Sequence, residues 1–302
     1  MKHFIDIKDF SKEEILKMLA LAIQLKKAAK YDFTIAENKV LALIFEKKST
    51  RTRLSFDVAI RQLSGSSIVL DMGGIHLGNG NESLSDTAKT MSLYVDALVL
   101  RVNNHDNILE MAKKSSIPVI NGLSNISHPC QAMAGLMTLI EERKTLDNLS
   151  LVWMGPITNV THSWIEAFNK KLGFSLSICC PESLQKKYEE KCKMNKIEFH
   201  NNIFFSSVTK DILSNADAVL TDTWESMGEK VEPKDLIELQ NYRVTQDLMD
   251  ITPSECLFMH CLPANRTQEV EAQVIDGPAS RVWQEAENRL HIQKQILIEC
   301  FN

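Results

Sequence analysis

Residues 40–65 read VLALIFEKKSTRTRLSFDVAIRQLSG. The run from Val40 to Phe45 is short and continuously apolar, the pattern of a strand buried on both faces. Charged Glu46, Lys47 and Lys48 end it, and Ser49 or Thr50 then opens a helix that stops near Gly65. A strand running into a helix is the first half of a βαβ unit, and the alternation continues on both sides. Upstream, Ile15, Met18, Leu19, Ala22 and Leu25 lie at helical spacing within 11–30, with Ser11 placed as N-cap and Glu14 three residues on. Downstream, strands are expected at 67–70, 97–102 and 118–120, and helices at 84–93 and 106–115.

A long helix over 131–144 follows His128-Pro129, and the alternation restarts behind it. Strands are expected at 150–154, 174–180, 216–222 and 256–262, and helices at 160–172, 182–195 and 284–300. Strands alternating with helices imply parallel sheets covered on both faces. At roughly 150 residues per domain, the 302 residues suggest two domains. The expected fold class is α/β, with two domains, each a mostly parallel sheet flanked by helices.

Composition excludes several classes of function. With 44% apolar and 24% charged residues, the chain can bury sizeable cores and is not a disordered polyelectrolyte. A net charge of −5 argues against a general nucleic-acid or membrane-surface binder, which needs a basic excess. No apolar run approaches a membrane span, and the opening MKHFIDIKDFSKEE lacks the apolar core of a signal peptide, so a cytoplasmic protein is expected. The seven cysteines are odd in number and form no CxxC or zinc-type spacing, which reads as reduced thiols without a structural metal.

Ligands of open α/β sheets bind beyond the carboxyl ends of the strands, and four polar clusters fall there. Ser49-Thr50-Arg51-Thr52-Arg53 opens a helix, where free backbone N–H groups, hydroxyls and a planar guanidinium suit a phosphate. A capped helix with exposed arginines would look the same, and no Walker loop is present. His128-Pro129-Cys130-Gln131 opens another helix; a histidine and a glutamine three apart can polarise a carbonyl and accept from an amide NH2, or simply cap the helix. His260-Cys261-Leu262-Pro263 places a cysteine at a strand mouth, either as a reactive thiol or as buried filler. Asp222-Thr223-Trp224-Glu225-Ser226-Met227-Gly228 offers a carboxylate for an ammonium, or an Asp-initiated turn beside a buried tryptophan. After the 150–154 strand stands Gly155-Pro156-Ile157-Thr158-Asn159, with one glycine where a dinucleotide fingerprint needs three, which weighs against NAD or FAD.

Taken together, STRTR at 49–53, HPCQ at 128–131, DTWESMG at 222–228, HCLP at 260–263 and AENR at 286–289 resemble the aspartate/ornithine carbamoyltransferase family. Weaker matches at 76–89 and 121–125 extend the resemblance over essentially the whole chain, in order. It implies a carbamoyl phosphate-binding domain over 1–144, an ornithine-binding domain over 145–283, and a last helix, 284–302, that packs back onto the first. It also implies a homotrimer or a multiple of trimers, active sites at subunit interfaces, and neither a metal nor an organic cofactor.

By the same resemblance, Ser49, Thr50, Arg51 and Thr52 bind the phosphate, and Arg101 bridges phosphate and carbonyl. His128 contacts the carbonyl oxygen and Gln131 the carbamoyl nitrogen. Cys261, Leu262 and Arg289 complete the carbamoyl phosphate pocket, Leu262 through its backbone carbonyl, and His76 reaches into a neighbouring subunit's site. Asn159, Asp222, Ser226 and Met227 hold the amino-acid end of ornithine, with Cys261 near the attacking δ-amine. Arg51, Arg101, His128 and Cys261 are the expected catalytic set. SMG with HCLP points to ornithine rather than aspartate as acceptor, giving citrulline and phosphate. The family commonly shows a GDGNN-like turn where this chain has residues 155–159, of which the first glycine and last asparagine survive. Pro156 removes an N–H there and fixes φ. That departure leaves a sister enzyme using another amine such as putrescine as the rival reading, with a non-catalytic anion-binding paralogue behind it.

Overall fold

The computed structural model describes residues 2–28, 34–46, 49–71, 82–195, 197, 204–225 and 231–302. The chain divides into two compact units: Met1–Met137 with Glu287–Asn302, and Thr138–Ala286. The first contains α1 (Lys12–Lys27), β1 (Val40–Phe45), α2 (Thr50–Gln62), β2 (Ser66–Asp71), α3 (Leu84–Met91), β3 (Ala97–Arg101), α4 (His105–Lys114), β4 (Val119–Leu123) and the start of α5 (Pro129–Arg143). Its four strands are parallel, in the order β2-β1-β3-β4.

Two-residue periodicity assigns the faces of this sheet. Ala42, Ile44, Leu98 and Leu100 pack in one cluster with Ala88 of α3 and with Ile108, Met111 and Ala112 of α4. The alternate residues Leu41, Leu43, Ala97 and Val99 are also fully buried. Both faces are therefore covered, which is why these strands read as unbroken apolar runs. Ser11 caps α1 by accepting from the Glu14 amide, and Glu14 answers on the Ser11 amide at 2.8 Å, the reciprocal pair expected from the sequence.

The second unit runs through β5 (Ser150–Met154), α6 (Asn159–Asn169), β6 (Ser175–Cys179), α7 (Glu182–Met194), β7 (Phe204–Ser206), α8 (Lys210–Leu213), β8 (Ala218–Thr221), α9 (Pro233–Leu239), α10 (Gln246–Met249), β9 (Leu257–His260) and α11 (Ala272–Ile275). Its five parallel strands lie in the order β7-β6-β5-β8-β9. The final helix, α12 (Val282–Phe301), crosses from this unit into the first at Glu287.

Two differences from the sequence reading have clear causes. β4 continues to Leu123 instead of stopping at Ile120, because a register shift after Leu100 brings Arg101 opposite Leu123. β7 was not anticipated: a three-residue edge strand is too short to show a period, and it exists through its pairing with β6. Among the described residues no helix is long and apolar enough to cross a membrane. All seven cysteines are free thiols, and every one but Cys261 is buried.

Candidate active site

In the first unit, register brings three loops to one edge. Phe45 lies opposite Arg101, and Arg101 opposite Leu123. β1, β3 and β4 thus end at one level, and the segments leading to Ser49, Asn103 and His128 leave from the carboxyl edge of a parallel sheet. Ser49 is the N-cap of α2 and makes no side-chain cap bond, so its hydroxyl and the first amides of the helix are available to an anion. Thr50 and Arg51 are exposed, whereas Thr52 is buried.

Thr52 is the hub. Its Oγ1 accepts from Arg101 Nη1 at 3.3 Å and from Arg289 Nη2 at 3.1 Å. Both lone pairs are then engaged, and the hydroxyl proton is left to donate to a ligand. Arg289, on α12, also donates from Nη1 to Gln131 Oε1 at 2.7 Å, so α2, β3, α5 and α12 meet in one cluster.

His128 lies beside these cations. Burial drives its pKa well below the ordinary histidine value, and Arg289, Arg101 and Arg51 push it further down. The imidazole is therefore neutral at neutral pH and offers an N–H without adding charge. Cys130, between His128 and Gln131, is pushed up to about 12 by burial and plays no part as a thiolate.

The second unit repeats the arrangement with opposite polarity. Met154, Thr221 and His260 are register partners at the ends of β5, β8 and β9, so Gly155–Asn159, Asp222 and Cys261 leave from one edge. Gly155 turns with φ +110°, a conformation costly for any other residue. The Pro156 carbonyl accepts from Trp153 Nε1 at 3.0 Å, which anchors the altered turn. Thr158 caps α6 and also donates to Asp222 Oδ2 at 2.9 Å. Asp222 Oδ1 accepts from the Thr223 amide at 2.7 Å and from the Cys261 thiol at 2.8 Å. Asn159, the first residue of α6, is 6% exposed.

Sequence reasoning missed Thr158 and Glu269. His260 is fully buried with Glu269: Nε2 lies 3.2 Å from Glu269 Oε1, and Nδ1 accepts from the Leu262 amide at 2.9 Å. That bond holds Leu262 at φ +52°, a left-handed conformation a leucine avoids unless its surroundings impose it. Nothing in the local pattern links residues 260 and 269. Asp222, His260 and Cys261 also bring a carboxylate oxygen, a ring nitrogen and a sulfur within 4.8 Å of one another, a spacing a metal could use. Both His260 nitrogens are already engaged within the protein.

Of the residues expected from sequence, Thr52, Arg101, Gln131 and Arg289 are joined by hydrogen bonds, with His128 beside them. Asp222 and Cys261 are in direct contact. His76, Ser226 and Met227 lie outside the described residues.

Residues 2–141 match the family model described as aspartate/ornithine carbamoyltransferase, carbamoyl-P binding domain, and residues 147–300 match the Asp/Orn binding domain of the same family. An ornithine carbamoyltransferase of Bradyrhizobium diazoefficiens is 43% identical over 100% of this chain and 97% of its own. The solved structure of the ornithine carbamoyltransferase of Pyrococcus furiosus is 38% identical, covers 98% of this chain and 96% of its own, and superposes with a TM-score of 0.86. The anabolic ornithine carbamoyltransferase of Campylobacter jejuni is 34% identical over 98% of each chain, with a TM-score of 0.85.

Proposed function

The chain belongs to the aspartate/ornithine carbamoyltransferase family and moves the carbamoyl group of carbamoyl phosphate to the δ-amine of L-ornithine, and we propose that its residues divide this work as follows. Ser49, Thr50, Arg51 and the Thr52 hydroxyl hold the phosphate. Arg101 and neutral His128 polarise the carbonyl, and Gln131 accepts from the carbamoyl nitrogen. The observation that carries this assignment is the Thr52 hub, because a buried hydroxyl gripped by two guanidiniums is a preorganised donor aimed at developing negative charge.

The acceptor carries the opposite charge. An amine with a pKa near ~10.4 is neutral only about one part in a thousand at pH 7.4, so the site must generate or select the free base. Cys261, bonded to Asp222, stands where it can exchange a proton with that amine, while Asp222 and Asn159 hold the α-ammonium and α-carboxylate end with Ser226 and Met227. The Leu262 carbonyl, presented by the left-handed turn, takes the carbamoyl nitrogen as second acceptor. As the amine attacks the carbamoyl carbon, the C–O bond to phosphate breaks, the phosphate leaves into the cation cluster, and citrulline forms. The turn at residues 155–159 supports ornithine over putrescine, because Thr158 orients the very carboxylate that an α-ammonium needs.

Citrulline formation in the direction of arginine biosynthesis fits the anabolic relative. Seven free cysteines fit a reducing, cytoplasmic compartment. Leu54, Ile68, Leu93 and Tyr94 are exposed apolar side chains of the first unit, and they fit a homotrimer in which His76 completes a neighbour's site. The test is a citrulline and phosphate-release assay with ornithine, putrescine and aspartate side by side. Preference for ornithine is expected; a purified, folded enzyme that prefers putrescine or turns over none of the three refutes the assignment.

A further inference from the structure

Behind the carbamoyl phosphate cluster, the first unit contains a buried polar chain that the mechanism does not use. Asp6 Oδ2 lies 3.2 Å from His105 Nε2, and His105 Nδ1 lies 2.8 Å from Ser124 Oγ. Ser124 Oγ also accepts from the amides of Ile126 and Ser127, each at 3.2 Å. Its own proton then goes to His105 Nδ1, at 2.8 Å, in preference to the Ser127 carbonyl at 3.5 Å. His105 accordingly carries its proton on Nε2 and donates it to Asp6. The second Asp6 oxygen accepts the Ser127 hydroxyl, which in turn accepts from Asn121 Nδ2 at 2.9 Å.

Asp6, Asn121, Ser124 and Ser127 are no more than 1% exposed, and His105 is 7% exposed. The arrangement resembles an acid–histidine–serine relay, but with its serine sealed from solvent it has no route to a substrate. Its place in the chain is what matters. Both loop serines flank the segment from β4 to α5, and Ser127 is bonded directly to His128 in sequence. The Asn125 side chain closes the same loop onto β3's exit by accepting from the His105 amide at 3.0 Å. Burial alone pushes the Asp6 carboxyl upward, yet the hydrogen bond from His105, with Lys8 and the Ser127 hydroxyl behind it, holds it below the ordinary carboxylate range. The anchor is therefore a carboxylate at neutral pH.

We propose that Asp6, His105, Ser124 and Ser127 are positioning residues for the transfer reaction, fixing the loop that presents His128 and Gln131 to the carbamoyl group. The inference rests on the reading of His128 and Gln131 given above. It follows that the chain separates two functions of one pocket. The phosphate is gripped from α2, which the relay does not touch, whereas the carbamoyl end is gripped from the loop that the relay holds.

The test uses the full-length enzyme with Asp6→Asn, which keeps the shape and removes the charge, and Ser127→Ala, which removes one link. Calorimetric binding of carbamoyl phosphate and of inorganic phosphate is measured for each, with steady-state KM values for both substrates. Carbamoyl phosphate binding is expected to weaken about tenfold and its KM to rise in step, while inorganic phosphate binding and the ornithine KM stay within twofold. The double variant is expected to lose no more than the worse single one, because both act through one chain. Equal losses for carbamoyl phosphate and inorganic phosphate mean general damage to the unit and overturn the proposal, as does unchanged binding of both in folded protein. If Asp6→Asn does not fold, Ser127→Ala alone decides between the same outcomes. A wild type that binds carbamoyl phosphate but makes no citrulline refutes the proposed function and leaves this binding comparison intact.

Discussion

Replacing Thr52 by valine keeps the branched shape and the buried methyl and deletes a single hydroxyl. That oxygen accepts from Arg289 at 3.1 Å and from Arg101 at 3.3 Å, so two guanidiniums lose a shared anchor at once. A hydrogen bond to a charged group contributes about 1.5–3 kcal/mol, and the longer Arg101 contact lies at the weak end of that range. Arg289 keeps its bond to Gln131, which limits how far it can drift. The loss in transition-state stabilisation is therefore about 2–3 kcal/mol, or about 30- to 150-fold in kcat/KM for carbamoyl phosphate. Citrulline formation at saturating ornithine, with carbamoyl phosphate varied, measures it, and a thermal melt shows that the variant is folded. A folded Thr52→Val enzyme within about threefold of wild type would refute the hub, and with it the idea that the hydroxyl is a preorganised donor.

Asp222→Asn keeps one acceptor oxygen, enough for the Thr223 amide or for Thr158 but not for both, and removes the charge that meets an α-ammonium; it should lower kcat/KM for ornithine by about 30-fold or more and spare any putrescine activity, because truncating a buried charge pair costs about 2–5 kcal/mol. Equal losses with both amines would show that Asp222 serves the fold and not the acceptor. The depressed His128 pKa has a definite consequence for stability: below the ordinary value of 6.5 the unfolded chain takes up a proton that the folded chain refuses, so the His128 contribution to stability is level above that pH and falls as pH drops beneath it. His128→Gln should reduce this fall between about pH 6.5 and pH 5, read as unfolding midpoints at several pH values, and an unchanged slope would place the acid-sensitive group elsewhere.

Much of this could be read along the chain. The apolar run 40–45 is β1 residue for residue, because a strand buried on both faces must be apolar at every position. Ser11 with Glu14 was legible because capping depends on residues within one turn of each other, and the helix opening at Thr50 because charged residues end the apolar run just before it. The site residues were legible as types at strand ends, where the rule for open α/β sheets directs attention. β7 and the short helices α8 to α11 were not, since three to seven residues carry too little periodicity to stand out.

The sequence by itself therefore determined the order of the longer strands and helices, the two α/β blocks, and which hydroxyls, guanidiniums, carboxylate and thiol follow the carboxyl ends of strands. Only the tertiary structure decided which of them touch. Thr52 receives Arg289 from 237 residues away, Asp222 takes hydrogen bonds from Thr158 and Cys261, and Glu269 steadies the Leu262 turn through His260. Patterning reports faces and ends because burial acts on each element separately. A hydrogen bond needs its two partners within about 3 Å. For residues that far apart, the distance is set by strand register and helix packing, which no local stretch of sequence encodes.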